Sequence, residues 1–185
     1  MSLQKKKKYL KCNSLFLLIF NFKTRILSGF FISGWIMTKQ ELRVEIQTKR
    51  LKLELTDYLF LSKKITDRVI FESFKSKKSI HIFIGMAEKR EINTLPVVIE
   101  ALRRGIEVWA PVIRPDKKFV HGRIKSIDDL EEGPFGLTQP KAESEFPETE
   151  LVFVPGLGFT KRGDRLGWGK GYYDGFLTEI KDKTG

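Results

Sequence analysis

Ser79-Ile80-His81-Ile82-Phe83-Ile84-Gly85, followed by Asn93 to Arg104 and then by Ile106 to Ala110, decides the fold. The first run is short, rich in isoleucine and closed by Gly85, and it reads as a buried strand. Asn93 to Arg104 reads as a helix, because Pro96 is tolerated in a first turn and Gly105 suits a C-terminal end. Ile106 to Ala110 reads as a second strand, stopped by Pro111. Strand, helix, strand is a βαβ unit, which implies a parallel sheet and a right-handed crossover. Ligands in open α/β sheets bind beyond the carboxyl ends of the strands. The connection Gly85-Met86-Ala87-Glu88-Lys89-Arg90-Glu91-Ile92 occupies that place. Its Glu91 is either a loop acid facing solvent, which the residues alone favour, or an acceptor for a polar substrate.

A second junction of the same kind lies further along. The apolar run Leu151 to Val154 is closed by Pro155-Gly156, and Tyr172 to Lys181 reads as a helix. Between them, Gly167, Gly169 and Gly171 fall at alternate positions. Without side chains there, backbone N–H groups can approach an anion, and the following helix points its positive end at the same place. Arg165 and Lys170 add two cations, and Asp174 supplies a hard oxygen of the kind magnesium prefers. The spacing is neither the dinucleotide-binding G-x-G-x-x-G nor the P-loop pattern. A flexible linker would favour Ser and Gly, whereas this loop carries Arg, Trp, Lys, two Tyr and Asp.

The 185 residues fit one domain, and 41% hydrophobic with 31% charged residues reads as globular and soluble. The net charge is +11, yet residues 1–36 hold Lys5, Lys6, Lys7, Lys8, Lys11, Lys23 and Arg25 with no acid, so the rest carries 11 − 7 = +4. A mildly basic body suits polyanionic metabolites better than nucleic acid. Cys12 is the one cysteine, which excludes disulfides and thiolate chemistry from the body and fits a cytoplasmic setting. His81 and His121 each sit in a strand-like run and read as structural. The apolar run Leu15 to Phe20 is too short to span a bilayer. Residues 1–36 are read as sequence upstream of the true start, with a signal or transit peptide as alternatives. Thr38-Lys39-Gln40-Glu41 is a capping box that starts a helix. Lys39 and Arg43 share a face of it, either as a solvated basic stripe or as an anion site. A second helix is predicted from Ser62, Phe119 to Ile124 reads as a strand, and Ser126 to Glu132 reads as an acidic helix or turn.

Val154-Pro155-Gly156-Leu157-Gly158-Phe159, then Gly163-x-Arg165-Leu166-Gly167-x-Gly169-Lys170-Gly171-Tyr172-Tyr173-Asp174, resembles the signature of the 5-formyltetrahydrofolate cyclo-ligase family. Lys39-x-x-Leu42-Arg43, Glu91-Ile92-Asn93-Thr94, Val108-x-x-Pro111 and Gly136-x-x-x-Pro140 follow in the family's order. The resemblance covers residues 37–185. It implies a three-layer α/β/α, Rossmann-like domain with a mostly parallel sheet. It also implies ATP-dependent closure of 5-formyltetrahydrofolate to 5,10-methenyltetrahydrofolate, with release of ADP and phosphate.

The resemblance further implies that Lys39 and Arg43 contact ATP phosphates and that Arg165, Leu166, Gly167, Trp168, Gly169, Lys170, Gly171, Tyr172 and Tyr173 wrap the nucleotide. Lys170 and Arg165 take the catalytic role. Met86, Glu91 and Trp168 to Tyr172 border the folate, and Asp174 binds Mg2+. Thr160, Asn93 and Gln139 stand where the family more often has Asp, Asp and Glu. The family's last strands, with a later Asp that resembles a second metal ligand, have no counterpart in this sequence. That makes a non-catalytic nucleotide- or folate-binding relative the alternative. No nucleic-acid partner and no stable membrane span are expected, and the sequence carries no signal for an oligomeric state.

Overall fold

The computed structural model describes residues 37–74, 77–114, 119–145, 149–160 and 163–184, with side chains in the last helix through Glu179. The expectations for residues 1–36 lie outside this set. Helices α1 (Lys39–Leu51), α2 (Leu55–Ser73), α3 (Leu95–Arg103) and α4 (Tyr172–Thr184) accompany eight strands. These are β1 (Ser79–Ile82), β2 (Glu107–Ile113), β3 (Phe119–Ile124), β4 (Leu130–Glu132), β5 (Thr138–Pro140), β6 (Leu151–Phe153), β7 (Gly158–Phe159) and β8 (Arg165–Leu166).

The main sheet has the order β3-β2-β1-β6. β1 runs parallel to β2, with His81 opposite Trp109, and parallel to β6, with Ile82 opposite Phe153. The predicted βαβ unit is therefore present as β1, α3 and β2. β3 returns antiparallel to β2, because the connection at 114–118 is too short for a crossover helix. The result is an α/β fold with a mixed, mostly parallel sheet and flanking helices. The mostly parallel sheet agrees with the Rossmann-like expectation, but the antiparallel β3 means that the topology is not a pure Rossmann one.

Several boundaries differ from the sequence reading, each for a physical reason. β2 runs through Pro111 to Ile113, with Pro111 opposite His121. Pairing with β1 ends at Trp109, so beyond it nothing on that side needs the N–H that proline lacks. Two residues on, Ile113 N–H donates to Gln139 Oε1 at 2.9 Å. α2 begins at Leu55 rather than Ser62, and Glu54 caps it with no side-chain hydrogen bond, so the usual start signal is missing. The acidic stretch forms one 3-10 turn, Ile127–Asp129, and then β4, which pairs with β5. The glycine-rich segment is no open loop at its start, since β7 and β8 form a small hairpin, Gly158 opposite Leu166. The capping box of α1 forms as predicted, with Glu41 N–H donating to Thr38 Oγ1 and Thr38 N–H to Glu41 Oε2 at 2.7 Å.

Side chains alternate across the strands, so each face of β1 meets a different partner. Ile80 and Ile82 join Val108, Ala110, Ile65 and Val69 of α2, and Val97, Val98 and Ala101 of α3, in one buried cluster. His81 lies on the other face, fully buried, under Phe176 and Tyr173 of α4, whose ring centroids are 4.8 Å and 6.4 Å away. His121 Nδ1 is 3.2 Å from His81 Nε2. Burial, and then the His121 ring, hold His81 well below the usual imidazole range. In the unfolded chain His81 regains an ordinary pKa near 6.5 and takes up a proton that the folded chain refuses. Stability is then present above about pH 6.5 and falls as pH drops below it. Denaturant unfolding is expected to lose about 1 kcal/mol between pH 6.5 and 5.5 from this group, a slope that His81→Phe removes.

Candidate active site

The two junctions read from the sequence meet at one place. After β1 the chain passes Gly85 and Met86, makes a single 3-10 turn at Ala87–Lys89, and reverses at Arg90 with φ 51°. The reversal turns Glu91 inward, so that it is 6% exposed. Its Oε2 accepts from Met86 N–H at 3.0 Å, while its own N–H donates to Met86 O at 3.1 Å. Gly85 admits no side chain, for a Cβ there would lie 2.0 Å from Ile92 O. Thr94 closes the base of the loop, donating to Phe83 O at 2.7 Å and accepting from Gly85 N–H at 3.1 Å.

The other Glu91 oxygen, Oε1, accepts from Trp168 Nε1 at 2.9 Å, a bond between residues 77 positions apart. Lys89 Nζ stands 5.1 Å from the Trp168 ring centroid. Arg43 Nε donates to Gly167 O at 2.9 Å, and a Cβ on Gly169 would come within 3.2 Å of the same guanidinium. Arg165 Nη1 donates to Pro155 O at 3.0 Å, and its Nη2 pairs with Asp174 Oδ1 in the first turn of α4. Tyr173 is buried, and its hydroxyl has no hydrogen-bond partner among the described residues. Burial, and then Glu91, push its phenol far above the usual range, with Arg165 opposing.

The structure thus brings Arg43, Met86, Glu91, Arg165, Gly167, Trp168, Gly169 and Asp174 into one connected set. Leu166 lies in β8, Gly171 at φ 76° leads into α4, and Tyr172 is half-buried in its first turn. Lys39 and Lys170 are exposed, on α1 and in the glycine-rich loop. Glu91, favoured as solvent-facing on the residues alone, is buried. Sequence reasoning did not find Arg50, whose Nη2 donates to Gly156 O at 3.1 Å. The available signal was its spacing of seven from Arg43, two turns along the same helical face. Among the described residues no group of three or more His, Cys, Asp or Glu is arranged to hold a metal ion. No described helix is long and apolar enough to cross a membrane.

The site thus sets a buried carboxylate against a glycine-rich, cation-lined helix entry in an α/β protein. The chain belongs to the 5-formyltetrahydrofolate cyclo-ligase family, whose model matches residues 36–185. It is similar to the 5-formyltetrahydrofolate cyclo-ligase of Mus musculus, 30% identical over 151 residues, covering 75% of this chain and 73% of the mouse protein. The Haemophilus influenzae cyclo-ligase is 24% identical over 152 residues, covering 79% of this chain and 81% of that one. Among solved structures, the 5,10-methenyltetrahydrofolate synthetase of Aquifex aeolicus superposes with a TM-score of 0.67 at 30% identity, covering 78% of this chain and 74% of the other. The Mycoplasma pneumoniae synthetase shares the fold, with a TM-score of 0.60 at 24% identity, covering 77% and 79%. ATP-dependent folate cyclisation is the activity typical of this family.

Gly85→Ala is expected to destabilise the protein by about 1–3 kcal/mol, since its Cβ cannot be placed without moving Ile92. Thermal unfolding checks this, and the strain should also disturb the Met86–Glu91 turn and shift the emission of Trp168.

Proposed function

We propose that this protein closes 5-formyltetrahydrofolate to 5,10-methenyltetrahydrofolate at the expense of ATP. The observation that carries the reading is the Trp168–Glu91 hydrogen bond, which ties the candidate folate loop to the candidate nucleotide loop. Reaction between two bound substrates needs their reacting atoms held a few ångströms apart, and that contact supports such a layout.

In this reading Glu91 and Met86 hold the folate, with Trp168 as one wall. Lys39, Arg43, Arg165 and the residues 166–173 hold the nucleotide. The formyl oxygen attacks the γ-phosphorus, and the bond to the bridging oxygen breaks as ADP leaves. N10 then attacks the activated formyl carbon, its proton is lost to solvent, and the carbon–oxygen bond breaks as phosphate leaves. Charge on the transferred phosphoryl is met by Lys170 and Arg165, which act by position rather than by covalent attack. Magnesium commonly takes one or two carboxylates and completes its shell with phosphate oxygens and water. Asp174, whose side chain is 76% exposed at the start of α4, fits as a single such ligand. Bound there with ATP, Mg2+ would offset phosphate charge. Residues 37–185 form the catalytic domain in this proposal, residues 1–36 are an appendage, and the setting is cytoplasmic. An Arabidopsis thaliana relative, 26% identical over 130 residues, is named as mitochondrial.

The test mixes the full chain with ATP, Mg2+ and 5-formyltetrahydrofolate and follows the methenyl chromophore together with phosphate. Product and phosphate are expected in equal amounts, and Lys170→Ala or Arg165→Ala should each lower kcat by about 10²–10³-fold. Binding of both ligands without product would instead make the chain a non-catalytic relative. Binding of neither overturns the reading.

A further inference from the structure

α1 grips the glycine-rich segment at two points. Arg43 donates to Gly167 O, just after the β7–β8 hairpin, and Arg50 donates to Gly156 O, just before it. Between them Ile46 packs so close to the hairpin that a Cβ on Gly158 would lie 3.2 Å from its Cδ1. Positions 43, 46 and 50 share one face of the helix. Arg50 is half-buried in the last turn of α1 and makes no direct ion pair with Glu91 among the described contacts. Burial lowers its pKa, and the negative charge of Glu91 opposes that shift.

We propose that Arg50 is a positioning residue for the folate side of the site. Through Gly156 O it fixes the start of the segment whose other end presents Trp168 to Glu91. It touches no reacting atom. Its work is to keep the Glu91–Trp168 contact closed, so its loss should weaken folate binding and leave nucleotide binding alone. ATP phosphates are held by other cations, Lys39, Arg43, Arg165 and Lys170, in the reading above. The folate half of this inference rests on that reading.

Arg50→Met keeps the aliphatic stem and removes charge and donor, whereas Arg50→Lys keeps the charge. In the full chain, Arg50→Met is expected to raise KM for 5-formyltetrahydrofolate about tenfold, the effect of one charge-assisted hydrogen bond. KM for ATP should stay within about twofold, kcat should fall less than about threefold, and Arg50→Lys should recover part of the loss. The effects of Arg50→Met and Glu91→Gln should be less than additive when combined. An unchanged folate KM in a folded Arg50→Met protein overturns the proposal, and so does an equal rise in both KM values. A second readout needs no ligand. The emission of Trp168, isolated by subtracting the spectrum of Trp168→Phe, should shift to the red in Arg50→Met and stay near that of the parent in Arg50→Lys. If the parent binds no folate, the proposed function falls, and the Trp168 emission alone decides the role of Arg50. An unshifted emission then overturns it. If Arg50→Met does not fold, Arg50→Lys and Arg50→Gln are read by the same criteria.

Discussion

The hydrogen bond from Trp168 Nε1 to Glu91 Oε1, 2.9 Å, is the contact on which the site depends. It joins the loop after β1 to the loop before α4, two segments that follow adjacent parallel strands, β1 and β6. Parallel strands deliver their carboxyl ends to the same side of a sheet, so the two loops meet because of the topology. The bond then fixes how they meet. A buried carboxylate is costly unless its oxygens are satisfied. Glu91 satisfies one with Met86 N–H and the other with the indole N–H. Neither loop can shift far without exposing that debt.

Both loops are held open in the right shape by small residues and by cations from elsewhere in the chain. A side chain at Gly85 would collide with Ile92 O, and one at Gly158 would crowd Ile46 Cδ1. α1 has no fully buried residue, and its half-buried Ile46 packs on the hairpin at Gly158. Two guanidinium groups add to this by reaching the backbone carbonyls of Gly156 and Gly167. Hydrogen bonds from charged donors are each worth about 1.5–3 kcal/mol, more than neutral ones. A helix that adds little to the core is in this way made part of the site's frame.

The βαβ core was legible because Ser79–Gly85, Asn93–Arg104 and Ile106–Ala110 state their period and their stops locally. The glycine-rich helix entry and the capping box at Thr38 were legible for the same reason. What stayed hidden depended on partners distant in sequence. Pro111 looks like a strand stop until β1 is seen to end beside it. Glu91 looks like a loop acid until Arg90 adopts its left-handed turn and Trp168 arrives from 77 residues away. The residues that depart from the family pattern find structural work. Thr160 Oγ1 donates to Asp164 Oδ2 at 2.7 Å and accepts from Asp164 N–H at 3.0 Å, closing the hairpin tip. Asn93 Oδ1 accepts from Leu95 N–H at 3.1 Å at the start of α3, and Gln139 holds Ile113 N–H.

In the proposed reading Arg165 serves both frame and ligand. Its Nη1 is committed to Pro155 O, and its side chain is only 16% exposed, so the guanidinium is aimed before any ligand arrives. Its Nη2 pairs with Asp174, which is 76% exposed. An ion pair with one partner so open to water is worth about 0–1 kcal/mol. A phosphate oxygen competing for Nη2, or a divalent cation competing for Asp174, therefore displaces little. The fixed end of Arg165 keeps its direction while the free end changes partner, which is the arrangement that charge stabilisation by preorganised donors requires.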